Sequence, residues 1–342
     1  MSIVSGLAET SILPITDVLA WIVIGTFLVG VLADWQGRDN LAPRITGVAW
    51  WLFGVFWFLL IQHFAFVMRS IVETFLIIVA VPACFYVGYW VFKGRGELLT
   101  LSRAVALMGL IYLPFTTSAA AQGFLIETVA HQTAVGIQWI GYAEGVQLIQ
   151  DPTGKTSLAN TFWFPESNRA SRIVFACTGI GAMSVFGGLV AAVRAPLRRK
   201  LAALGIAIGI IWVLNIARNV FIAVANGYQW FDYATLEGPV MFAFGLTDPS
   251  RVSFFVADRI IAQGLAVFVL IGIGLLIARW LPELYEIIEE LYALVTGQEV
   301  SFRDGGSGGS GGAPVADGGS SDALGATGDS IESPGSGDDG GE

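Results

Sequence analysis

The sequence has 342 residues, of which 55% are hydrophobic and 13% charged, and its mean hydropathy is +0.69. This composition excludes a single soluble globule and predicts an integral membrane protein, with a net charge of −9 that is unusual for that class. The two cysteines lie far apart and there are only two histidines, so no disulfide framework, metal or other cofactor is expected.

Apolar runs of about 20 residues, the length that crosses a hydrocarbon core, predict about seven transmembrane helices and an all-α polytopic fold. The runs lie at 12–33, 46–68, 71–92, 98–118, 172–193, 201–225 and 255–281. Gly205 and Gly209 in the sixth run form a small-xxx-small pair, which predicts close packing of that helix against a neighbour.

Two elements are predicted between the fourth and fifth runs. Residues 119–143 are apolar but are interrupted by several polar side chains, and we interpret them as an outer-face helix, interfacial or re-entrant. The next stretch, GVQLIQDPTGKTSLANTFWF, alternates apolar and polar residues on both sides of Asp-Pro-Thr-Gly-Lys. This pattern predicts a short β-hairpin on the outer surface.

Basic residues predict the orientation, because an excess of Lys and Arg marks cytoplasmic loops. The sequence RAPLRRK at 194–200 is the most basic cluster in the chain. Placing it inside puts the N-terminus outside and gathers most of the Lys and Arg on the cytoplasmic side. The protein is therefore expected to be a multi-pass cell-membrane protein.

The C-terminal part is predicted to contain two further regions after a transmembrane catalytic domain at 1–281. Residues 282–297 contain PELYEIIEELYALV, which places Leu284, Ile287 and Ile288 on one face and glutamates opposite, and predicts a cytoplasmic amphipathic helix. Residues 298–342 are rich in Gly, Ser and Asp and are predicted to be a disordered acidic tail.

One cysteine and two arginines are predicted to meet near the outer face. Cys177 lies about one and a half turns below the outer end of the fifth run. Arg218 lies about 17 residues, or roughly 25 Å, along the sixth run from its inner end, and Arg259 marks the outer end of the seventh. Arginine at membrane depth is costly and usually marks a functional or paired site.

These three residue types fit nucleophilic catalysis. A thiolate attacks where a thiol does not, and a neighbouring fixed positive charge lowers the pKa of a cysteine. An arginine can also stabilise the oxyanion that forms when a thiolate adds to a peptide carbonyl. Asn215 shares a helical face with Arg218 and is a candidate to orient its guanidinium or to bind the same oxyanion.

Two further residues are weaker candidates. Arg251 in TDPSRVSF competes with Arg259 for the third role, although loop arginines are commonly solvated or lipid-facing. His131 on the outer helix is a candidate base, although a satisfied interfacial polar residue is the simpler interpretation. Cys84 is interpreted as a small packing residue.

The motifs ACTG at 176–179 and NIAR at 215–218, followed by an arginine at the start of the next span, resemble the exosortase/archaeosortase family. The similarity runs from about residue 98 to residue 279 and includes the predicted hairpin. Exosortases generally have histidine at the third position, whereas Arg259 resembles the archaeosortase branch. The resemblance implies that Cys177, Arg218 and Arg259 are the catalytic residues.

The resemblance further implies a sortase-like transpeptidase. Such enzymes cut exported surface proteins at a C-terminal sorting signal, here of the Pro-Gly-Phe type, and transfer the new C-terminus to an acceptor. The implied partners are the exported substrate proteins, the membrane and an archaeal phospholipid acceptor, with the active site at the outer face; no nucleic acid is expected. The acidic composition agrees with a halophilic archaeon.

Two other functions fit the same residues. An intramembrane cysteine protease would share the nucleophile but release its product to water. A non-enzymatic anion carrier or channel would use Arg218 and Arg259 to bind the ion and would not need Cys177.

Overall fold

A computed structural model describes residues 3–68, 70–152, 154 and 156–296. The predicted tail at 298–342 lies outside these residues, and the division into domains stays a prediction. The α-helices are α1 (Ile3–Trp35), α2 (Ala42–Gln62), α3 (Ile71–Phe92), α4 (Leu99–Thr117), α5 (Ala119–Trp139), α6 (Ile180–Ala192), α7 (Leu197–Gly227), α8 (Ala234–Phe244), α9 (Val252–Phe255), α10 (Gln263–Trp280) and α11 (Leu284–Thr296). The strands are β1 (Gln147–Gln150), β2 (Ala159–Phe164) and β3 (Arg169–Arg172).

Six described segments are long and apolar enough to cross a membrane, which confirms the polytopic helical class. They are Ile15–Trp35, Ala42–Val67, Ile71–Phe92, Leu99–Thr117, Leu197–Gly227 and Pro249–Trp280. The predicted span at 172–193 is instead a shorter apolar helix, because only α6, with 13 residues, is α-helical there. Arg172, the first residue of the predicted span, belongs to β3, and the chain then forms a 3₁₀ turn at Phe175–Thr178 before α6 begins.

Helix α6 packs antiparallel against α4 through glycine. A Cβ atom added at Gly188 would collide with the Ala104 carbonyl oxygen and would lie 2.7 Å from the Met108 nitrogen, so the two backbones approach too closely for a side chain. The predicted close packing at Gly205 and Gly209 is wrong, because nothing lies within 4 Å of a Cβ atom added at either residue.

Helix α5 lies beside the second half of α7 and runs parallel to it. The Trp212 indole donates to the Gln132 side chain at 2.7 Å, and Gly136 faces Val220, which lies eight residues beyond Trp212 on α7. The polar residues that interrupt α5 therefore have protein partners: Glu127 likewise accepts from the Ala159 backbone N–H. Helix α5 is not among the six candidate spans, and its interpretation as an interfacial or re-entrant outer-face helix stays a prediction.

The three strands form one antiparallel sheet in the order β1-β2-β3. Strands β1 and β2 confirm the predicted hairpin, whereas β3 was not predicted. Phe162 and Phe164 on β2 are fully buried and pack with Val129 of α5 and Val224 of α7. The sheet and α5 therefore cover the C-terminal end of α7.

The basic segments lie at the opposite end of the helices. Arg103 pairs with Asp34 at 2.5 Å, and Arg199 pairs with Glu283 at 3.0 Å just before α11. Helix α11 confirms the predicted C-terminal helix, with Leu284 and Ile287 buried. Ile288 was assigned to the same apolar face but is 43% exposed.

We expect Gly188→Ala to destabilise the protein by about 1–3 kcal/mol, because overpacking must push α4 and α6 apart. Gly205→Ala is the matched control, since its Cβ atom enters open space. Thermal unfolding of both variants in detergent measures the difference. Equal stability of the two variants would contradict the tight α4–α6 contact.

Candidate active site

Cys177 lies in the 3₁₀ turn Phe175–Thr178, immediately before α6. The turn ends at Gly179, whose φ of +77° is strained for any residue with a side chain. A Cβ atom at Gly179 would also lie 3.0 Å from the Asn215 side chain. Glycine at this position in the ACTG motif therefore allows both the sharp turn and its contact with α7.

Two asparagines of α7 hold the backbone of Cys177. The side-chain amides of Asn215 and Asn219 each donate to the Cys177 carbonyl oxygen at 2.8 Å. The two residues are one helical turn apart and so share a face. Asn215 was predicted to act on the Arg218 guanidinium or an oxyanion, but in the structure it donates to the Cys177 carbonyl oxygen. Asn219 was not predicted, although its spacing from Asn215 was a usable signal.

A chain of four charged residues connects α3, α7 and the segment that precedes α10; we call it the ion chain. Arg218 donates to Asp258 Oδ1 at 2.5 Å, and the other Asp258 oxygen lies 3.3 Å from Arg259 Nε. Arg259 NH1 lies 4.0 Å from Glu73 Oε2 at the start of α3. Both predicted arginines therefore meet on one carboxylate, whose side chain is only 9% exposed.

Asp258 was not predicted as a site residue, but the sequence contained a signal for it. It is an acid next to Arg259 inside the apolar run at 255–281, and an ionisable residue at such a position needs a partner. Residues 258 and 259 both lie in a π-helical segment, Val256–Ala262. Single π-turns inside α-helices occur frequently at functional sites.

Burial raises the pKa of the Cys177 thiol above its ordinary value of 9.0, and the Arg218 charge opposes this shift. The Arg218 guanidinium also lowers the pKa by hydrogen bonding to the sulfur, whereas the Asp258 charge raises it. Arg218 thus acts in the predicted direction, but loss of hydration outweighs it. Without a substrate, the protonated thiol is the favoured form at neutral pH.

A cavity of about 460 Å³ lies between the sheet, the end of α7 and the start of the last span. Cys177, Asn219 and Asp258 line it. Arg251 also lines it and stacks over the Phe255 ring, 5.3 Å from the ring centroid, so it shares the cavity with Cys177 but lies outside the ion chain.

His131 is exposed on α5 and is not among the residues that line the cavity. The structure therefore brings together Cys177, Arg218, Arg259 and Asn215, with Arg251 on the cavity wall, and leaves His131 apart. Within the described ranges, no group of three or more His, Cys, Asp or Glu could hold a metal ion.

Comparison with known protein families identifies the group to which the chain belongs. Residues 16–248 match the family model for transmembrane exosortase (Exosortase_EpsH). The chain belongs to the exosortase family. The matched residues include Cys177 and Arg218, and they end before Asp258 and Arg259.

The similarity to two curated relatives covers more of the chain than the match to the family model does. Archaeosortase A of Natronomonas pharaonis is 63% identical over 297 residues, which is 86% of this chain and 94% of the relative. Archaeosortase A of Haloferax volcanii is 45% identical over 302 residues, 85% of this chain and 97% of the relative. No solved structure matches this exosortase family member. The resemblance predicted from the motifs is confirmed.

We expect Arg218→Gln to slow alkylation of Cys177 by iodoacetamide at pH 8, because removing a charge that lowers the thiol pKa reduces the thiolate fraction. Asp258→Asn should have the opposite effect, since the Asp258 charge raises that pKa. Each pKa unit changes the thiolate fraction about tenfold, so several-fold rate changes are expected. Mass spectrometry in a Cys84→Ala background measures the rates, and two variants that shift them in the same direction would contradict this electrostatic arrangement.

Proposed function

We propose that this protein is a membrane-embedded cysteine transpeptidase, with Cys177 as nucleophile and Arg218 as the residue that stabilises charge beside it. The two archaeosortase A relatives support a membrane-embedded sorting enzyme. One observation carries the cysteine mechanism: Cys177 lines a cavity beside the charge of Arg218, whose guanidinium is itself held by Asp258.

The first half-reaction forms a thioester. The Cys177 thiolate adds to the scissile carbonyl carbon, and the negative charge moves to the carbonyl oxygen, where the Arg218 guanidinium can bind it. The C–N bond then breaks, and the departing amine takes up the proton released by the thiol. Asp258 acts as a positioning residue, because it holds Arg218 and Arg259 rather than the substrate.

The second half-reaction transfers the chain. An acceptor amine adds to the thioester carbonyl, loses a proton and expels the Cys177 thiolate, which leaves an amide and the free enzyme. The proposed acceptor is an amine-bearing archaeal phospholipid, and the proposed substrates are exported surface proteins with a C-terminal sorting signal of the Pro-Gly-Phe type. Both relatives come from halophilic archaea, which fits the acidic composition.

The active site is proposed to face the cell exterior. The sheet, α5 and the cavity lie at one end of the helices, and the basic segments and α11 lie at the other. Because basic segments favour the cytoplasm, this separation supports an outer-face site. Substrates could then reach the cavity after export, with their apolar C-terminal helix still in the membrane.

The two alternative functions make different demands on the same residues. A protease without transfer would release a free carboxylate, so the product distinguishes it. An anion carrier is less well supported, because Asp258 already neutralises part of the charge of Arg218 and Arg259. The deciding experiment is mass spectrometry of a candidate substrate's C-terminus from cells with and without this protein. A shortened, lipid-linked C-terminus is expected only with it.

Cys177→Ala should abolish processing while the protein remains in the membrane, because the change removes the nucleophile and little packing. Cys84→Ala is the matched control: Cys84 is buried in the α1–α4 packing and should be dispensable for processing. Immunoblotting of substrate size and of membrane fractions measures both effects. Full processing by the Cys177→Ala variant would exclude a cysteine mechanism.

Single cysteines introduced by Glu166→Cys and Arg198→Cys test the orientation, in a background that lacks Cys84 and Cys177. Both positions are exposed, one in the β2–β3 turn and the other at the start of α7. An impermeant maleimide should label position 166 in intact cells and position 198 only after permeabilisation. The reverse pattern would invert the proposed topology.

A further inference from the structure

Three arginines line the cavity beyond Cys177, and the ion chain contains none of them. Arg169 and Arg172 are the first and last residues of β3, and Arg251 ends the turn Pro249–Arg251. The acid among the described lining residues is Asp258, which already binds Arg218 and Arg259. This wall of the cavity is therefore positively charged.

The three arginines differ in their partners. Arg172 lies 3.2 Å from Asp151 and is neutralised by it. Neither Arg169 nor Arg251 has an ion pair within 4 Å with another described residue, and the exposed Asp248 influences both only at longer range. Arg169 and Arg251 are thus the two arginines that remain available to an anion.

One buried donor on the same wall, Arg169 Nε, has no hydrogen-bond partner among the described residues. The Ser250 hydroxyl also lines the wall, where it interacts with the exposed Asp248. A buried donor without a partner is unfavourable, so a ligand that accepts from Arg169 Nε would stabilise this wall. The wall therefore offers a guanidinium fork, a second guanidinium and a hydroxyl to one anionic group.

The rise along α7 gives the approximate distance between Cys177 and the arginines of the cavity wall. Asn219 binds the Cys177 carbonyl, and Asn226 binds Ser171 Oγ in β3 at 2.8 Å. Asn226 lies seven residues beyond Asn219 on α7, which is a rise of about 10 Å. Long arginine side chains on β3 and on the neighbouring turn can therefore hold a group close to the thioester on Cys177.

We propose that Arg169, Arg251 and Ser250 form a subsite for the phosphate of the phospholipid that accepts the cleaved chain. This rests on the proposed transpeptidase function. A guanidinium binds phosphate oxygens through two parallel N–H donors, which fixes orientation as well as position. A headgroup held there would direct its amine towards the thioester, so that the transfer step becomes effectively intramolecular.

Binding is tested first in a Cys177→Ala background, where no turnover can occur. The purified protein in detergent is titrated with phosphatidylethanolamine, with diacylglycerol carrying the same acyl chains, and with inorganic phosphate, and occupancy is measured by native mass spectrometry. We expect Arg169→Gln with Arg251→Gln to raise the Kd for phosphatidylethanolamine at least about tenfold. Arg198→Gln, at the opposite end, should leave that Kd unchanged.

The titrations with diacylglycerol and inorganic phosphate show whether the site binds a phospholipid headgroup or free phosphate. Diacylglycerol should bind weakly and equally to all variants, because it lacks the phosphate. Inorganic phosphate should displace the phospholipid only at much higher concentration. An unchanged Kd in the double variant, or binding of inorganic phosphate without binding of phospholipid, would overturn the proposal. If the double variant unfolds, Ser250→Ala provides the same test, with an expected weakening of a few-fold.

A second readout separates failure of the subsite from failure of the proposed function. With Cys177 present, the ratio of transfer to phosphatidylethanolamine over transfer to hydroxylamine should fall about tenfold in Arg169→Gln, because hydroxylamine has no phosphate. Arg169→Lys should restore part of that ratio, since it keeps the charge but loses the fork. Absence of transfer to either amine in the protein with all three subsite residues would reject the transpeptidase, whereas an unchanged ratio would reject the subsite alone.

Discussion

The site depends on a buried carboxylate that lies between two guanidinium groups. Asp258 holds Arg218 of α7 on one side and its own neighbour Arg259 on the other. Removing ions of this size from water costs several kcal/mol each, and this cost is recovered only when the charges are paired. Loss of Asp258 would leave Arg218 without its carboxylate partner and Arg259 with only Glu73 at 4.0 Å. The carboxylate therefore determines where Arg218 can be, and so the charge beside Cys177.

The ion chain also explains how the last span is positioned between two other helices. Consecutive residues on a helix point about 100° apart, so the side chains of Asp258 and Arg259 contact different neighbouring helices. Asp258 faces Arg218 on α7, and Arg259 extends towards Glu73 on α3. The π-helical segment that carries both residues widens the helix at this point. Helices from the two halves of the chain are thus connected beside Cys177.

The three-stranded sheet packs against α5 and α7, and it also forms part of the cavity wall. Its β2 face buries Phe162 and Phe164 against α5 and α7, which holds the cover over the end of the bundle. Its β3 edge supplies arginines to the cavity and leads directly into the turn that carries Cys177. Asn226 and Asn219 of α7 bind the sheet at Ser171 and the turn at Cys177, so one helix positions both walls of the cavity.

The sequence by itself determined the features that depend on local composition and regular geometry. Apolar runs located six long helices, turn residues located the β1–β2 hairpin, and the rise of an α-helix placed Arg218 far from the basic end of α7. Only the tertiary structure decided that the predicted fifth span begins with the end of β3 and a 3₁₀ turn, that Gly188 rather than Gly205 makes the close helix contact, and that Asp258 joins the two arginines. The physical reason is that the helix contact and the ion pair depend on partners 40 or more residues away, whose positions no local pattern of hydropathy or propensity encodes.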